Sequence, residues 1–384
     1  VSKKVRRFNN KGYGDAGASW HKRSLKGFKA HSGSAQEDID FSNLTMRQRA
    51  RMLYMAAPLA TSAIKTNRTN VIGSGLILSS KIDREFLKMT PEQAEAWQRN
   101  TEKEFSIWAN NRQACDATGI NDFYELQQLA LMSWLLSGDV FCLFKGGAKT
   151  PLNPYDLCLH LIEADRISTP TPWIKAGLYL TEGKNADNGN EIHDGVEVNG
   201  SGRIVAYHIR SNYPFELTTK QTKWTRIEAV GKATGMPNIL QIVETERPDQ
   251  YRGVSYLAQV IEPLLQLRRY TEAEITAAMI ESCFAGFIKT EARADEMPIN
   301  ETGEVEAHEP SNPDEFNFGP GEYNVLKPGE DIVFTDPKRP SNGFSNFVRA
   351  IAELVGAALE IPADILLKAF NASYSASRGA LLEA

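Results

Sequence analysis

Residues 344–384 read FSNFVRAIAELVGAALEIPADILLKAFNASYSASRGALLEA, and the spacing of apolar residues in this stretch decides what the chain can build. Phe344, Phe347, Val348, Ile351, Leu354, Val355, Ala358 and Leu359 recur at helical intervals, so the stretch predicts an amphipathic α-helix with one apolar stripe. Pro340 with Ser341 and Asn342 supplies a start. Glu360-Ile361-Pro362 supplies a stop, because the residue before a proline is pushed out of the α region. A further helix is expected to begin near Ser373 to Ser377. Between the two lies a short polar and aromatic loop, Lys368-Ala369-Phe370-Asn371-Ala372-Ser373-Tyr374, too small to hold a core.

Moving upstream, a second long helix is expected from Tyr256 to Phe284, with Pro263 early in it. Its stripe (Leu257, Ile261, Leu264, Leu265, Ile275, Ala278, Met279) is broken by Arg268, Arg269, Glu272 and Glu274. From Pro263 onward it would run about 32 Å at the helical rise. Such a helix cannot bury itself in one small core and suits sharing between subunits. The segment separating these helices is strongly acidic: between Glu291 and Asp336 there are thirteen acids against Arg293 and Lys327. Tyr323 to Leu326 and Ile332 to Phe334 read as short strands within it.

The opposite bias marks the other end. Val1 to Lys29 carries nine basic residues against the single acid Asp15, the composition of a basic arm. Leu44 to Thr69 predicts a long helix kinked at Pro58. Its apolar side is Leu44, Met52, Leu53, Met55, Ala56, Leu59, Ala60, Ala63 and Ile64, and Arg47, Arg49, Arg51, Lys65 and Arg68 are expected outside. Pro91 to Ala109 predicts a helix with a Thr90/Gln93 capping box, and Phe123 to Leu136 another. A buried strand follows at Gly138 to Phe144. There Asp139, at a helix-to-strand corner, reads as a cap. Leu157 to Pro170, Arg203 to Arg210 and Ile239 to Val243 read as strands, with a Gly, Asn and Asp-rich hairpin at 183–202. Asp165 and Arg166 read as turn and strand-edge residues.

Composition bounds the class. With 384 residues, 42% hydrophobic and 24% charged, the chain is long enough for two or three packed units. No apolar run is long enough to span a bilayer and no signal-peptide core is present at the start, so the chain is expected to be cytosolic when made. Cys115, Cys142, Cys158 and Cys283 form no C-x-x-C pair. The net charge of −5 argues against a protein that coats nucleic acid by bulk charge. Catalytic signatures are lacking. Gly231-Lys232-Ala233-Thr234 resembles the end of a P-loop, but Arg226 and Ala233 occupy its first glycine and its Ser/Thr positions. The glycines of Asn70 to Leu76 open no helix that could cradle phosphate. The six histidines show no metal spacing, and no cofactor is indicated.

Several stretches resemble one family in its order. Gly356 to Pro362 followed by Asn371, Ser373, Tyr374, Ser375 and Arg378 resembles the G-x-x-x-x-x-P turn and N-x-S-Y-S-x-x-R signature of the lambda-like portal proteins of tailed bacteriophages. Asn70-Val71-Ile72-Gly73-Ser74-Gly75, Ser137-Gly138-Asp139-Val140-Phe141, Glu163-Ala164-Asp165-Arg166-Ile167, Arg203 to Ile209 and Arg247 to Ser255 resemble further elements of that family. The resemblance implies an α+β portal fold: an α/β wing, a two-helix stem, a small β-containing clip, and a tunnel loop with its helix. On it residues 1–43 form a basic arm, 44–254 the wing, 255–288 the first stem helix, 289–341 the clip, 342–362 the second stem helix, and 363–384 the tunnel loop and helix start. Because portal subunits generally continue into a helical crown, the chain is expected to be a fragment lacking it.

The implied function is a ring, expected to hold twelve subunits, at one capsid vertex of the virion. It passes double-stranded DNA without sequence preference during packaging and ejection. Implied partners are further copies of the chain, the terminase large subunit, head-completion or tail adaptor proteins, and the major capsid protein; no membrane is involved. A channel must guide a duplex without gripping it, since each cation on a phosphate adds affinity through counterion release. Lys368, Asn371, Tyr374 and Arg378 are therefore the expected channel residues, with Arg268, Arg269 and Arg349 behind them. Glu301, Glu304, Glu306, Asp314 and Glu315 are the expected clip contacts to motor or adaptor. Two other classes stay open from the residues alone: a hydrolase or nuclease using the acids of 291–336, and a plain shell or interaction protein.

Overall fold

Helix ends set by local chemistry come first in the chain, and a computed structural model shows what they organise. It describes residues 13, 17–19, 21–28, 32–147, 149, 153–171, 182–217, 221–283, 287–290, 330–333, 343–369 and 378–379, with backbone alone at 280–283, 287–290 and 330–333. The first helix, α1, spans Ala35–Ala56 and starts earlier than the apolar pattern predicts, because Ser34 and Glu37 close a capping box ahead of it. Pro58 does more than kink the helix. Ala57 is extended, and a separate helix α2, Pro58–Asn67, starts with the proline in its first turn, where a missing N–H costs nothing.

Helix α3, Pro91–Ala109, has the expected Thr90/Gln93 box. A single turn α4, Arg112–Cys115, precedes α5, Phe123–Ser137, whose own box is Asp122 with Glu125. Phe105, Trp108 and Phe123 pack ring on ring between α3 and α5, with centroids 5.3 to 5.6 Å apart. Gly138 turns the chain from α5 into strand β1, Asp139–Lys145. β1 is the centre of an antiparallel sheet, flanked by β2, Cys158–Glu163, and β8, Ile239–Val243. A second antiparallel sheet runs in chain order through β3 (Glu182–Lys184), β4 (Glu191–His193), β5 (Val196–Val198), β6 (Ile204–Arg210) and β7 (Trp224–Glu228).

Helix α6, Ile261–Cys283, is 23 residues long, about 34 Å at the helical rise. Helix α7, Phe344–Ala358, returns beside it, and a one-turn helix α8, Ala363–Leu367, follows. Between them β9, Phe287–Thr290, pairs antiparallel with β10, Glu330–Val333. The strand expected at Ile332 is present as part of β10, while that at 323–326 lies outside the described residues. The architecture is thus helices with antiparallel sheets, as the α+β reading requires.

Three cores hold the described residues together. Leu53, Ala60, Ile64, Leu135, Leu257, Leu264, Val355, Leu359 and Leu366 join α1, α2, α5, α6, α7 and α8. Phe141, Ile162, Ile167, Val196 and Tyr207 fill the space between the sheets. Trp108, Cys115, Leu126 and Leu159 close the α3 side. Met52 and Met55, expected on the inner side, are exposed at 61% and 78%. The real inner face of α1 is rotated toward Asn43, Arg47 and Ala50.

Where the loop before α6 crosses the α5–β1 corner, Gly138 and Gly253 meet backbone to backbone. A Cβ on Gly253 would lie 1.8 Å from the Gly138 carbonyl oxygen, which no relaxation of side chains relieves. Gly253→Ala is expected to cost about 1–3 kcal/mol, seen as a lower urea midpoint at unchanged slope. An unchanged midpoint would mean that the two loops part freely.

Candidate functional site

The expected channel residues begin at the end of α7. Gly356 accepts a backbone hydrogen bond from Ile361, and Glu360 takes the left-handed conformation with φ 52°, so the helix ends in a Schellman turn. Gly356 is needed there because a Cβ would sit 2.5 Å from the Ile361 carbonyl oxygen. Pro362 then starts α8, a helix the apolar pattern did not announce. α8 closes the same way, with Lys368 left-handed at φ 55° and Ala369 donating to the Asp364 carbonyl at 3.0 Å.

Lys368 is therefore a helix terminus and not the first residue of a free loop. Its side chain is exposed, but Nζ donates to Thr66 Oγ1 on α2 at 2.9 Å. Ser62, one turn earlier on α2, donates to the Leu366 carbonyl at 2.8 Å. The end of α8 is thus pinned to α2 at two points. Arg378 is exposed in a helical pair of residues, and Asn371 and Tyr374 lie outside the described residues.

The weaker cation candidates are mostly matched. Arg268 donates to Glu272 at 2.9 Å and Arg349 to Glu353 at 3.0 Å, both one helical turn apart and exposed. Such pairs contribute little stability, and each carries no net charge. Arg269 is exposed on α6. Glu301, Glu304, Glu306, Asp314 and Glu315 lie outside the described residues, as do nearly all the acids on which a nuclease reading would depend. Among the described residues no group of three or more His, Cys, Asp or Glu is placed to hold a metal ion.

A second constellation was not anticipated. Arg252 is fully buried and donates through Nε and Nη2 to the two oxygens of Asp139 at 2.7 and 3.1 Å. It also reaches the Ile167 and Ala164 carbonyls at 3.1 and 2.9 Å, and its Nη1 lies 2.7 Å from Asp194 Oδ2. Arg47, expected on the outer face of its helix, is 0% exposed; its Nε lies 2.8 Å from Asp165 Oδ1 and its Nη2 3.5 Å from Asp194. Arg51 pairs with Asp165 from the rim.

Asp139 is therefore a buried ion-pair partner, and Asp165 is more than a turn former. The reason is chain topology: α1, the β1 corner, the turn after β2, the β4–β5 turn and the loop before α6 all meet at one point. Burial pushes the carboxyl of Asp40, also in this cluster, up to about 7, reinforced by Asp194 and opposed by Arg252 and Arg47. The sequence did carry a signal. Asp139, Asp165 and Arg252 stand inside the stretches quoted above, Ser137 to Phe141, Glu163 to Ile167 and Arg247 to Ser255, in opposite charge, whereas Asp40, Arg47, Arg51 and Asp194 do not.

A third cluster rigidifies the second sheet. Glu197, on β5, accepts from Asn185 at 3.0 Å, Asn188 at 2.7 Å and Asn190 at 2.9 Å, and from Arg226 at 2.7 and 3.0 Å, with His208 Nε2 3.0 Å away. Burial works against its charge, but these donors outweigh it and hold the carboxyl well below the usual range. Burial lowers His208 despite that neighbour. With every acceptor site occupied, the cluster shapes a hairpin and has nothing left to offer a ligand.

Comparison with known proteins bears on what these parts serve. Residues 21–384 match a family model described as "Phage portal protein, lambda family". The chain is 26% identical over 335 residues to the "Probable portal protein" of Halomonas phage phiHAP-1, covering 86% of this chain and 59% of that protein. It is 21% identical over 342 residues to "Portal protein B" of Escherichia phage lambda, covering 84% and 60%. The chain thus spans about three fifths of the length of these relatives. Among solved structures, a chain in the neck of the empty gene transfer agent particle, computed with C6 symmetry, superposes with a TM-score of 0.50 at 13% identity over 87% of this chain and 72% of that one. A chain in the neck of the native particle, computed with C12 symmetry, gives 0.47 at 14% over the same shares.

Proposed function

Because the chain belongs to the lambda family of phage portal proteins, we propose that it is a structural subunit of a closed ring at one capsid vertex, whose central channel passes double-stranded DNA during packaging and ejection. One observation supports this most. Helix α7 carries more apolar surface than its own subunit covers: Ala352 and Val355 are buried, while Phe347 and Leu354 on the same helix are 42% and 57% exposed. Ile275 and Met279 on α6 are likewise exposed. Large apolar residues left in water at regular helical spacing suit a surface meant for another copy, and a repeated head-to-tail contact closes a ring when its rotation allows.

On this reading α6 and α7 are the two stem helices, joined by Tyr270 stacking on Phe344 and packing on Phe347 with centroids 5.8 and 4.6 Å apart. The β9–β10 pair closes the base of the clip, the sheets with α1 to α5 make the wing, and residues from 363 onward approach the channel. Terminase, adaptor proteins and the major capsid protein are the proposed partners, and the virion the proposed location.

Lys368 is the proposed duplex-facing cation. Its contact with Thr66 holds the charge at the end of a pinned helix, so phosphates meet a positioned group and not a sweeping side chain. Lys368→Gln is expected to change stability by less than about 1 kcal/mol, the value of one partly exposed hydrogen bond. Rings should form as before, and the salt dependence of DNA packaging should weaken, since fewer phosphates exchange their counterions for this cation. Negative-stain images of the purified protein test the ring directly: closed particles with a central hole are expected, and solitary compact subunits at high concentration would refute it. Packaging indifferent to Lys368 in intact rings would remove the residue from the channel and leave the ring standing.

A further inference from the structure

The charges sealed between α1 and the sheets do not balance as they stand. Four carboxylates, Asp40, Asp139, Asp165 and Asp194, face three guanidiniums, Arg47, Arg51 and Arg252, and Arg51 is shared at the rim with a fifth carboxylate, the partly exposed Glu163. All but Arg51 and Glu163 are buried. Asp139, Asp165 and Asp194 each have an arginine within ion-pair distance. Asp40, 4% exposed, has none of this kind, and its Oδ2 finds no hydrogen-bond partner among the described residues. The groups acting on it are Arg47 from α1 itself, Asp139 from β1, Asp194 from the β4–β5 turn and Arg252 from the loop before α6, while Asp165 in the turn after β2 is engaged by Arg47 and Arg51.

We propose that Asp40 is seated in the folded subunit as the neutral acid, and that its proton latches α1 onto the sheets. With that proton in place, each of the three buried carboxylates that stay ionised has an arginine partner. Without it, a fourth negative charge is shut in a cluster whose cations are already committed, and a buried unpaired charge is relieved most cheaply by moving its element toward water. The element that moves is α1, because Asp40 rides on it. What else ties the first half of α1 here is polar: Asn43 donating to the Gly253 carbonyl at 2.9 Å, Gln36 donating to the Asp249 carbonyl, Arg47 and Arg51 in the cluster, and the exposed Arg247 on Asp38 and on the Ser34 and Gly33 carbonyls, while the second half is held by Ala50 and Leu53 in the helical core.

The sign follows from where the proton is held. An aspartate ordinarily titrates near 3.8, whereas Asp40 holds its proton to about 7. Between those values the seated form keeps a proton that the released form gives up, so seating weakens as pH rises and levels off once both forms are ionised. One proton corresponds to a tenfold change in the opening equilibrium per pH unit.

Hydrogen exchange of the whole chain, followed on peptides within 35–56 from about pH 5 to about pH 8 and corrected for intrinsic rates, reads this directly. Protection of α1 is expected to fall by about tenfold per pH unit up to about 7 and then flatten. Peptides of α5 serve as the reference and should change much less. Asp40→Asn, which mimics the neutral acid, should abolish the dependence and protect α1 better than the wild type at about pH 8. An asparagine variant less protected than the wild type at about pH 8 would overturn the proposal, as would a flat wild-type profile. If the variant fails to fold, the wild-type profile decides alone.

Discussion

Arg252→Ala is expected to be the most destructive single change in the described part of the chain, lowering stability by about 3–5 kcal/mol or preventing folding outright. The magnitude comes from what is left behind. Asp139 and Asp194 lose their shared cation while 0% exposed, and the Ala164 and Ile167 carbonyls lose their donor. The guanidinium also sits over the Phe141 ring at 5.5 Å, so truncation opens a void against the sheet core. Arg252→Lys should rescue only a minor part, because an ammonium cannot serve two carboxylates and two carbonyls from one plane. Urea denaturation of both variants checks this. Wild-type stability in the alanine variant would mean that water enters the cluster freely and that the ion pairs do not hold the elements together.

Such a residue shows why the sequence is legible in some places and not in others. The capping box at Thr90 and Gln93, the strand Ile239–Val243 and the stop before Pro362 depend on neighbours within a few positions, and each is found as expected. Arg47 depends on Asp194, which lies 147 positions away. A helical period assigns any arginine to the outer face unless something remote compensates its charge, so the pattern rotated α1 and turned Met52 and Met55 inward. Asp139 and Asp165 escape a local reading for the same reason: an acid at a corner is usually a cap, and the partner that makes it otherwise sits in a different stretch.

Lys368 illustrates a milder failure. Its approach to Thr66 follows from α8, five residues whose stability comes from Ile365 and Leu366 entering the helical core and not from any intrinsic pattern. The family resemblance points to the stretch, and the tertiary contact decides where the cation is held.

Leu354→Asp is expected to leave the subunit folded and abolish the ring. In the isolated subunit Leu354 is 57% exposed, so a carboxylate there stays in water and should change stability by only about 0.5 kcal/mol, as for other surface substitutions. In a ring the same position would face a neighbour, and an ionised carboxylate without a partner is costly to desolvate. That cost recurs at every subunit boundary, because a closed ring repeats one contact, so even a modest penalty per contact multiplies until no closed particle is populated. Asn346→Asp, at an exposed polar position of the same helix, adds the same charge and should leave rings intact. Size-exclusion profiles with thermal melts separate the outcomes. Loss of both ring and melting transition would place Leu354 in the subunit's own core. Normal rings from the Leu354 variant would mean that the exposed stripe of α7 is not the seam between copies, and the surface carrying assembly would then have to lie away from the two long helices.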